Sequence, residues 1–208
     1  NARMYTDRVF HKKGYGTIVT GTLLEGKLEK GQDVYLNGIT KSRIRGLQTY
    51  DQNVNTANAK TRLAINLTNI DKNSISKGDH ITSEFIPELN NSFDAIIKLS
   101  KSFKKSIKHN STIQAFIGSR QINCRLILGN LKEINDHTSH YVHLRSDKKI
   151  SCKVNDPIIL RSSGETIAGG EILNTGSSLK LFKSSIYKEY LNALSKNDIQ
   201  NAAEKLIN

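Results

Sequence analysis

Short strand-like segments separated by turn residues dominate the chain up to about residue 174. The clearest segments are 5–10, 17–24, 33–36, 43–48 and 62–67, followed by 94–99, 111–117, 120–128, 139–144, 156–161 and 166–173. Turns rich in glycine or serine, such as 14–16, 30–32 and 162–165, interrupt them. Many short strands with almost no helical periodicity are typical of small β-barrels or sandwiches, and we therefore predict an all-β fold.

The β-rich sequence divides into two parts of similar length. The segment 85–91 contains Pro87, one of only two prolines in the chain, and it is the best candidate for a linker. We therefore predict two consecutive small β-barrels, one over residues 1–88 and one over residues 89–176. No repeated motif aligns between the two parts, so we expect two different barrels and not an internal duplication.

The last part of the chain has a different pattern. From residue 177 onward, apolar residues recur mostly at three- and four-residue steps, which predicts an amphipathic helix. These residues are Leu179, Phe182, Ile186, Tyr190, Leu191 and Leu194. We interpret 177–208 as a helical linker toward a further domain, and a helix that caps the second barrel is the alternative. The abrupt opening at Asn1-Ala2-Arg3 leads us to expect a piece of a longer protein.

The net charge favours a polyanionic partner. The chain has 31 Lys and Arg against 19 Asp and Glu, a formal charge of +12. Such an excess binds phosphate backbones through neutralisation and counterion release. An anionic membrane surface or a generally lysine-rich proteome would explain the same excess. No apolar run approaches membrane-spanning length, so we predict no membrane segment.

The sequence has no arrangement of residues that indicates catalysis or metal binding. Cys124 and Cys152 lie outside any CxxC pattern, and we expect two reduced thiols, with a single disulfide as the alternative. The strand pattern at 139–144 separates His140 from His143 across two faces, so we predict no metal site. No GxxxxGK[ST] phosphate loop, nucleophile–base pair or paired catalytic carboxylates occur. We predict that the chain has no catalytic residue and is not itself an enzyme.

Five segments of the first part together resemble domain 2 of the elongation factor Tu superfamily. Residues 7–22 read DRVFHKKGYGTIVTGT, similar to the family pattern of an acidic residue, V-F and G-x-G-T-V-x-T-G. Similar matches follow at 28–34, 41–48, 59–67 and 75–79. The resemblance covers nearly the whole first domain and implies two β-barrels of the translation-factor type.

Within that superfamily, the chain looks most like the bacterial selenocysteine-specific elongation factors. Asp7-Arg8, the TGTLL run at 20–24 and the RIRGLQ run at 43–48 carry this likeness. Looser matches at 116–119, 157–161 and 167–173 resemble the second barrel, although Phe116 stands where the family often has histidine. The helical tail fits the linker into that family's winged-helix region.

This resemblance implies the tRNA-binding part of a factor that delivers selenocysteinyl-tRNA to the ribosome in a GTP-dependent manner in the cytoplasm. The implied partners are selenocysteinyl-tRNA, the ribosome and the GTPase domain of the same protein. GTP and Mg²⁺ would bind that GTPase domain, so no cofactor is expected in this chain. Domains 2 and 3 of another translational GTPase are the first alternative, and a small β-barrel enzyme or binding module is the second.

The resemblance also assigns an aminoacyl pocket to Asp7, Arg8 and Arg62. Arg62 stands where elongation factor Tu has a neutral amide. A selenol ionises well below neutral pH, so selenocysteine is an anion where serine and cysteine are mostly neutral. Two arginines, which stay protonated, would favour that anion, and Asp7 would offset their mutual repulsion. Without the family likeness, a structural Asp–Arg pair on a barrel rim would be the better interpretation.

The family likeness places the 3′ end and the backbone of the tRNA as well. The residues implied near the 3′ end are Gly16, Thr17, Ile18, Gln48 and Tyr50. Ile18 would contact the face of the terminal base, and Gln48 would bond its edge or the ribose. In the second domain, Lys101, Lys104 and Lys105 suit the tRNA backbone, although a solvated loop explains any single lysine equally well.

Overall fold

The computed structural model describes residues 1–12, 14–86 and 89–207, and the side chains of 206 and 207 are not described. The predicted linker residue Pro87 and the predicted boundary residue Glu88 lie outside these ranges. The chain forms two compact units. One comprises Asn1–Glu88 with Gly118–Arg120, and the other comprises Leu89–Ile117 with Gln121–Asn208.

The first unit is a closed β-barrel. Its strands are β1 (Arg3–Lys12), β2 (Gly16–Glu25), β3 (Lys27–Glu29), β4 (Asp33–Leu36), β5 (Thr40–Thr49), β6 (Gln52–Val54), β7 (Thr56–Asn58), β8 (Thr61–Leu67) and β9 (His80–Thr82). The sheet runs in the order β4-β9-β1-β2-β8-β5-β6, and pairing between β4 and β5 closes six of these strands. A 3₁₀ turn at Lys72–Ser74 precedes β9, and β3 pairs with β7 in a separate ribbon.

Period-two alternation builds the core of this barrel. On β8, Leu63, Ile65 and Leu67 are buried, whereas the intervening residues face outward. On β2, Val19 and Leu23 belong to the same core. The outward-facing residues of β2 and β8 therefore share one external surface.

A β-bulge interrupts the alternation in β1. The register with β2 shifts between Thr6, which pairs with Gly21, and Arg8, which pairs with Thr20. Thr6 is buried and Val9 packs against the core, whereas Asp7 is partly exposed and Arg8 is exposed. The bulge gives β1 one extra residue, so the adjacent side chains of Asp7 and Arg8 both project from the outer face.

The second unit contains another closed barrel. Its strands are β10 (Asn90–Leu99), β11 (Ile107–Lys108), β12 (Ser111–Ile117), β13 (Arg120–Ile127), β14 (Glu133–Ile134), β15 (Ser139–Ile150), β16 (Pro157–Ser162) and β17 (Glu165–Thr175). The barrel order is β10-β15-β13-β12-β16-β17, and β11 pairs with β14 apart from it. Two closed six-stranded barrels confirm the predicted all-β fold with a helical tail.

Two glycine positions show how tightly the second barrel is specified. The hairpin between β16 and β17 turns at Ser163 and Gly164, both with positive φ, so the turn is shorter than the predicted 162–165. At Gly170, an added Cβ would lie 1.9 Å from the backbone oxygen of Ile96 on β10. Only glycine therefore permits the approach of β17 to β10 at this point.

The helices are α1 (Leu179–Phe182), α2 (Ser185–Ser195) and α3 (Ile199–Ile207). Serine side chains at 178 and 184 accept backbone N–H groups at the starts of α1 and α2. Phe182, Tyr187 and Leu191 are buried in one cluster with Leu173 of β17. The first two helices thus pack on the second barrel, while the role of this segment as a linker toward a winged-helix region stays a prediction. The helices of the described residues are too short or too polar to span a membrane.

A buried polar cluster joins α2 to this barrel. The Tyr187 hydroxyl donates to Asp94 Oδ2 at 2.5 Å and accepts from Asn174 Nδ2 at 2.6 Å. His143 Nδ1 lies 2.8 Å from Asp94 Oδ1 and 3.4 Å from Ser177 Oγ. Because Asp94 and Ser177 approach the same ring nitrogen, the group is not a proton relay of the hydrolase type. Burial, followed by the nearby Asp94 charge, raises the pKa of Tyr187 well above its ordinary value.

Candidate functional site

The outer face of the first barrel brings several predicted site residues into one row. Arg8 on β1 pairs with Thr20 on β2, Thr20 pairs with Ala64 on β8, and Ala64 pairs with Gln48 on β5. All four residues are at least partly exposed. The pairing therefore spreads the predicted aminoacyl and 3′-end residues across four adjacent strands of the same surface.

Asp7 and Arg62 form an ion pair on this face. Arg62 Nη1 donates to Asp7 Oδ2 at 2.5 Å, and the Thr20 hydroxyl donates to Asp7 Oδ1 at 2.7 Å. Partial burial raises the pKa of Asp7, but the hydrogen bonds from Arg62 and Thr20 and the charges of Arg62 and Arg8 outweigh it, so the pKa falls below its ordinary value. The hydrogen bond that Arg62 donates to Asp7 raises the pKa of Arg62. The three predicted pocket residues are thus electrostatically coupled.

The two arginines differ in how they are engaged. Arg62 is held by Asp7, and it lines a shallow depression of about 230 Å³ whose rim also carries Tyr50 and the carboxyl group of Asp51. Within the described ranges, the Arg8 guanidinium makes no hydrogen bond or ion pair, and its side chain is exposed. Among these residues Arg8 is therefore unpaired, whereas Arg62 is paired with Asp7 although about half of its side chain (52%) is exposed.

A second depression, of about 360 Å³, adjoins the first, because Gln48 and Ala64 line both. Its floor includes Ile18, Gly46 and Asn66, which are themselves cross-strand partners. An added Cβ at Gly46 would meet no atom within 4 Å, so the space above the floor is open. The missing side chain at Gly46 leaves room for a flat group against the sheet.

Cationic side chains and an aromatic ring surround this second depression. Lys12 Nζ lies 4.7 Å from the centre of the Tyr15 ring, and Arg45 Nη1 donates to the Tyr15 backbone oxygen at 3.2 Å. Tyr15 is 55% exposed. Lys30 also lines the depression. The wall thus combines an accessible aromatic face with three positive charges.

The predicted 3′-end residues divide among three places. Ile18 and Gln48 line the second depression, and the Gln48 amide nitrogen donates to Asn53 Oδ1 at 2.9 Å. Tyr50, 87% exposed with a positive φ, lies at the first depression instead. Gly16 and Thr17 line a third depression of about 570 Å³ beside the 67–73 segment.

The side chain of Thr17 faces the interior of the barrel, and its predicted place near the tRNA 3′ end stays a prediction. Thr17 is 3% exposed, and its hydroxyl donates to the backbone oxygen of Ile70 at 2.6 Å. Period-two alternation turns Thr17 inward with Val19, whereas Ile18 faces outward. Only the backbone at Thr17 remains for contact with a ligand.

The predicted tRNA-backbone lysines lie in the second unit. Lys101, Lys104 and Lys105 are exposed in the segment between β10 and β11. Phe103 in the same segment is buried and fixes it to the barrel. Their contact with tRNA stays a prediction.

Several residues of the second depression were missed by the sequence reasoning: Lys12, Tyr15, Lys30, Arg45, Gly46 and Asn66. A signal for Asn66 was present in the sequence. Strand alternation along β8 places Arg62, Ala64 and Asn66 on one face, opposite Leu63 and Ile65.

The described residues contain no cluster of three or more His, Cys, Asp or Glu side chains able to hold a metal ion. His140 Nε2 lies 3.0 Å from Asp136 Oδ1, whereas His143 is buried beside Asp94. Cys124 and Cys152 are not joined in a disulfide, and burial raises the pKa of Cys124 to about 12. Neither thiol lies among the residues of the three depressions.

The first barrel resembles the second domain of translation elongation factors. The family model described as "Elongation factor Tu domain 2" matches residues 16–82. More particularly, the chain is similar to selenocysteine-specific elongation factors, which confirms the family resemblance.

Three curated relatives carry that name. The protein of Desulfomicrobium baculatum is 28% identical over 176 residues, which cover 83% of this chain and 28% of the relative. That of Escherichia coli K12 is 39% identical over 88 residues, which cover 41% of this chain and 14% of the relative. That of Haemophilus influenzae is 28% identical over 211 residues, which cover 98% of this chain and 32% of the relative. The chain thus spans about a third or less of the length of these relatives.

Two solved structures share the fold. The crystal structure of a bacterial selenocysteine-specific elongation factor EF-Sec has a TM-score of 0.76 at 24% identity, covering 98% of this chain and 33% of that one. The apo form of elongation factor SelB from Methanococcus maripaludis has a TM-score of 0.74 at 21% identity. The match covers 86% of this chain and 43% of that one. At these identities, the structural likeness supports the fold.

Proposed function

We propose that the first barrel binds the aminoacylated 3′ end of selenocysteinyl-tRNA, as part of a factor that delivers this tRNA to the ribosome in a GTP-dependent manner. The observation that carries the proposal is the pair of adjoining depressions on one outer face. One is rimmed by lysine and arginine, and the other is lined by Thr20 and Arg62, which both bond Asp7, while Arg8 is the cross-strand partner of Thr20. GTP and Mg²⁺ belong to the GTPase domain of such a factor. This chain contributes binding and no catalytic residue.

The second depression suits a terminal adenosine. A base lies flat over Ile18 and Gly46, where the floor is open, and Tyr15 offers a face for stacking. Lys12 and Arg45 on the rim neutralise the phosphates that lead to this nucleoside. The depression therefore matches the three chemical parts of an RNA end: base, sugar and phosphate.

The first depression suits the esterified amino acid, because it begins where the second one ends, at Gln48 and Ala64. Arg8 supplies the cation that pairs with a selenolate. Arg62 is already neutralised by Asp7, and its part is to hold that carboxylate away from Arg8 and to shape the pocket wall. Selectivity for an anionic side chain over the serine hydroxyl then rests chiefly on Arg8.

The test uses the full-length factor and measures its affinity for selenocysteinyl-tRNA and for seryl-tRNA. Arg8→Ala should weaken binding of selenocysteinyl-tRNA by roughly 10- to 100-fold, the value of one charge-assisted hydrogen bond, and should change seryl-tRNA binding by less than about threefold. Arg8→Lys should keep part of the preference, because the charge is retained.

Lys27→Ala is the matched control, since Lys27 is an exposed cation of the same barrel paired with Glu29 on β3. It should leave both affinities unchanged. Equal losses for the two tRNAs in Arg8→Ala would remove the argument from selenolate charge. Unchanged affinity for both in Arg8→Ala and in Arg62→Ala would remove the pocket itself.

A further inference from the structure

A buried carboxylate that the proposed function does not use lies under the helical segment. Asp94 on β10 is 0% exposed and shares a face of the strand with Ile96, which packs against the helices. The Tyr187 hydroxyl donates to its Oδ2 atom, and His143 Nδ1 lies at its Oδ1 atom. Replacing such a buried, bonded cluster by apolar side chains of similar size is often neutral or stabilising, so stability alone does not account for it.

The apolar contact between α2 and the barrel does not by itself define one position of the helix. Tyr187 and Leu191 are buried against Leu173 of β17, and Leu194 is partly buried at the same cluster. A shift of α2 by one turn would bring Leu191 to the place of Tyr187 and Leu194 close to the place of Leu191. Because apolar contacts are non-directional, they favour both positions.

The hydroxyl of Tyr187 distinguishes the two positions. In the observed position it donates to Asp94 and accepts from Asn174 Nδ2 at 2.6 Å. In the shifted position Leu191 would face these two groups, and its side chain can neither donate nor accept. The carboxylate would then stay buried without this donor, which is strongly unfavourable.

We propose that Asp94, His143 and Tyr187 form a positioning latch, which admits a single position of α2 on the second barrel. Tyr187 carries the discrimination from the side of the helix. His143 holds the carboxylate at its other oxygen, and Ser177 lies 3.4 Å from the same ring nitrogen. The latch makes α2 a fixed part of the second unit, and it does not depend on RNA binding by the first barrel.

The main test replaces the whole latch by apolar residues in the 208-residue chain, as Asp94→Val, His143→Leu and Tyr187→Phe together. No buried charge is then left without a partner, so this triple variant should unfold at the wild-type temperature or above it. The amide NMR signals of α2 should nevertheless broaden or double. Loss of one charge-assisted hydrogen bond should raise the population of the shifted position roughly 10- to 100-fold, while the strand amides keep single signals.

The single variant Tyr187→Phe decides the case if the triple variant does not fold. It keeps the buried carboxylate and removes the hydroxyl that distinguishes the two positions. It should therefore lose stability and show the same broadening or doubling of the α2 signals. A residue that only stabilises the contact would lower stability and leave these signals single and sharp.

Two control variants remove tyrosine hydroxyls outside the latch. Tyr190 stacks with Tyr187 at 5.3 Å, and its hydroxyl bonds no group in the ranges that the structure describes. The Tyr141 hydroxyl donates to Asn192 of α2 at 3.2 Å, at the exposed edge of the contact, where water can replace the bond. Tyr190→Phe and Tyr141→Phe should both keep the single, sharp α2 signals of the wild type.

Two results would overturn the latch. Single, sharp α2 signals in the folded triple variant, or in Tyr187→Phe if the triple variant does not fold, would show that apolar packing alone positions the helix. A triple variant as unstable as Tyr187→Phe would show that the cluster serves stability instead of position.

Discussion

Replacing Tyr187 by phenylalanine removes one oxygen atom from the contact between α2 and the second barrel and keeps the ring. That oxygen donates to Asp94 and accepts from Asn174, and both Tyr187 and Asp94 are buried. Without the tyrosine hydroxyl, the buried Asp94 Oδ2 atom loses this donor, which costs about 1–3 kcal/mol of stability. Loss of the hydrogen bond from Asn174 costs about 1 kcal/mol more. The variant should therefore lose about 2–4 kcal/mol of the stability of the second unit.

Cys124 provides a probe confined to that unit. The thiol is 1% exposed on β13, and burial raises its pKa to about 12, so it reacts only when the barrel opens. In a Cys152→Ser background, thiol labelling under conditions of fast reclosing follows the opening equilibrium. A loss of 2–4 kcal/mol should speed labelling of Tyr187→Phe by roughly 30- to 700-fold.

Tyr190→Phe is the control for this experiment. Tyr190 stacks with Tyr187 at 5.3 Å, and in the described part of the chain its hydroxyl makes no hydrogen bond. Its labelling rate should change by less than about threefold, which corresponds to less than 0.7 kcal/mol. Similar rates in Tyr187→Phe and Tyr190→Phe would refute the reasoning, because they would show that the Asp94 cluster adds nothing to the packing of the helix.

Three further predictions concern single side chains. Gly170→Ala should unfold the second barrel or cost more than about 3 kcal/mol in chemical denaturation, since its Cβ would lie 1.9 Å from a backbone oxygen, whereas Gly169→Ala, with 3.7 Å available, should be tolerated. Thr17→Val should lower stability by about 1–2 kcal/mol and leave RNA affinity unchanged, because the hydroxyl points inward; a specific loss of RNA binding would contradict the burial of that side chain. Thr20→Val should raise the pKa of Asp7 in an NMR titration, because a donor to the carboxylate is lost. The folded-state pKa of Asp7 lies below its ordinary 3.8, so its contribution to stability is present at neutral pH and fades as the pH falls through the folded value; an unchanged Asp7 titration would contradict the hydrogen bond.

The sequence predicts the barrels because their strands alternate regularly. On β8, Leu63 and Ile65 alternate with polar or small residues, so the sequence predicts which face of the strand is buried. The turns are also local features, since glycine or serine residues mark them. Both kinds of information reside within a few neighbouring residues, so one chain is enough to recover them.

The site is harder to predict from the sequence, because β-branched residues occupy both faces of β2. In the run 17–20, threonine, isoleucine, valine and threonine give no polarity difference between odd and even positions, so the inward direction of Thr17 does not follow from composition. The second depression depends on residues from five separated segments, among them Lys12, Arg45 and Asn66. Their proximity is a property of strand pairing, which is nonlocal.

The extra residue at Asp7 has a consequence for protein engineering. Deleting it would restore strict alternation in β1, with Thr6 and Val9 still inward and Arg8 still outward, but it would remove the carboxylate that pairs with Arg62. Transplanting the acidic–basic dipeptide into a regular strand would separate the two charges onto opposite surfaces. A chimeric barrel meant to present both side chains on one face must therefore inherit this irregularity of the backbone together with the two residues.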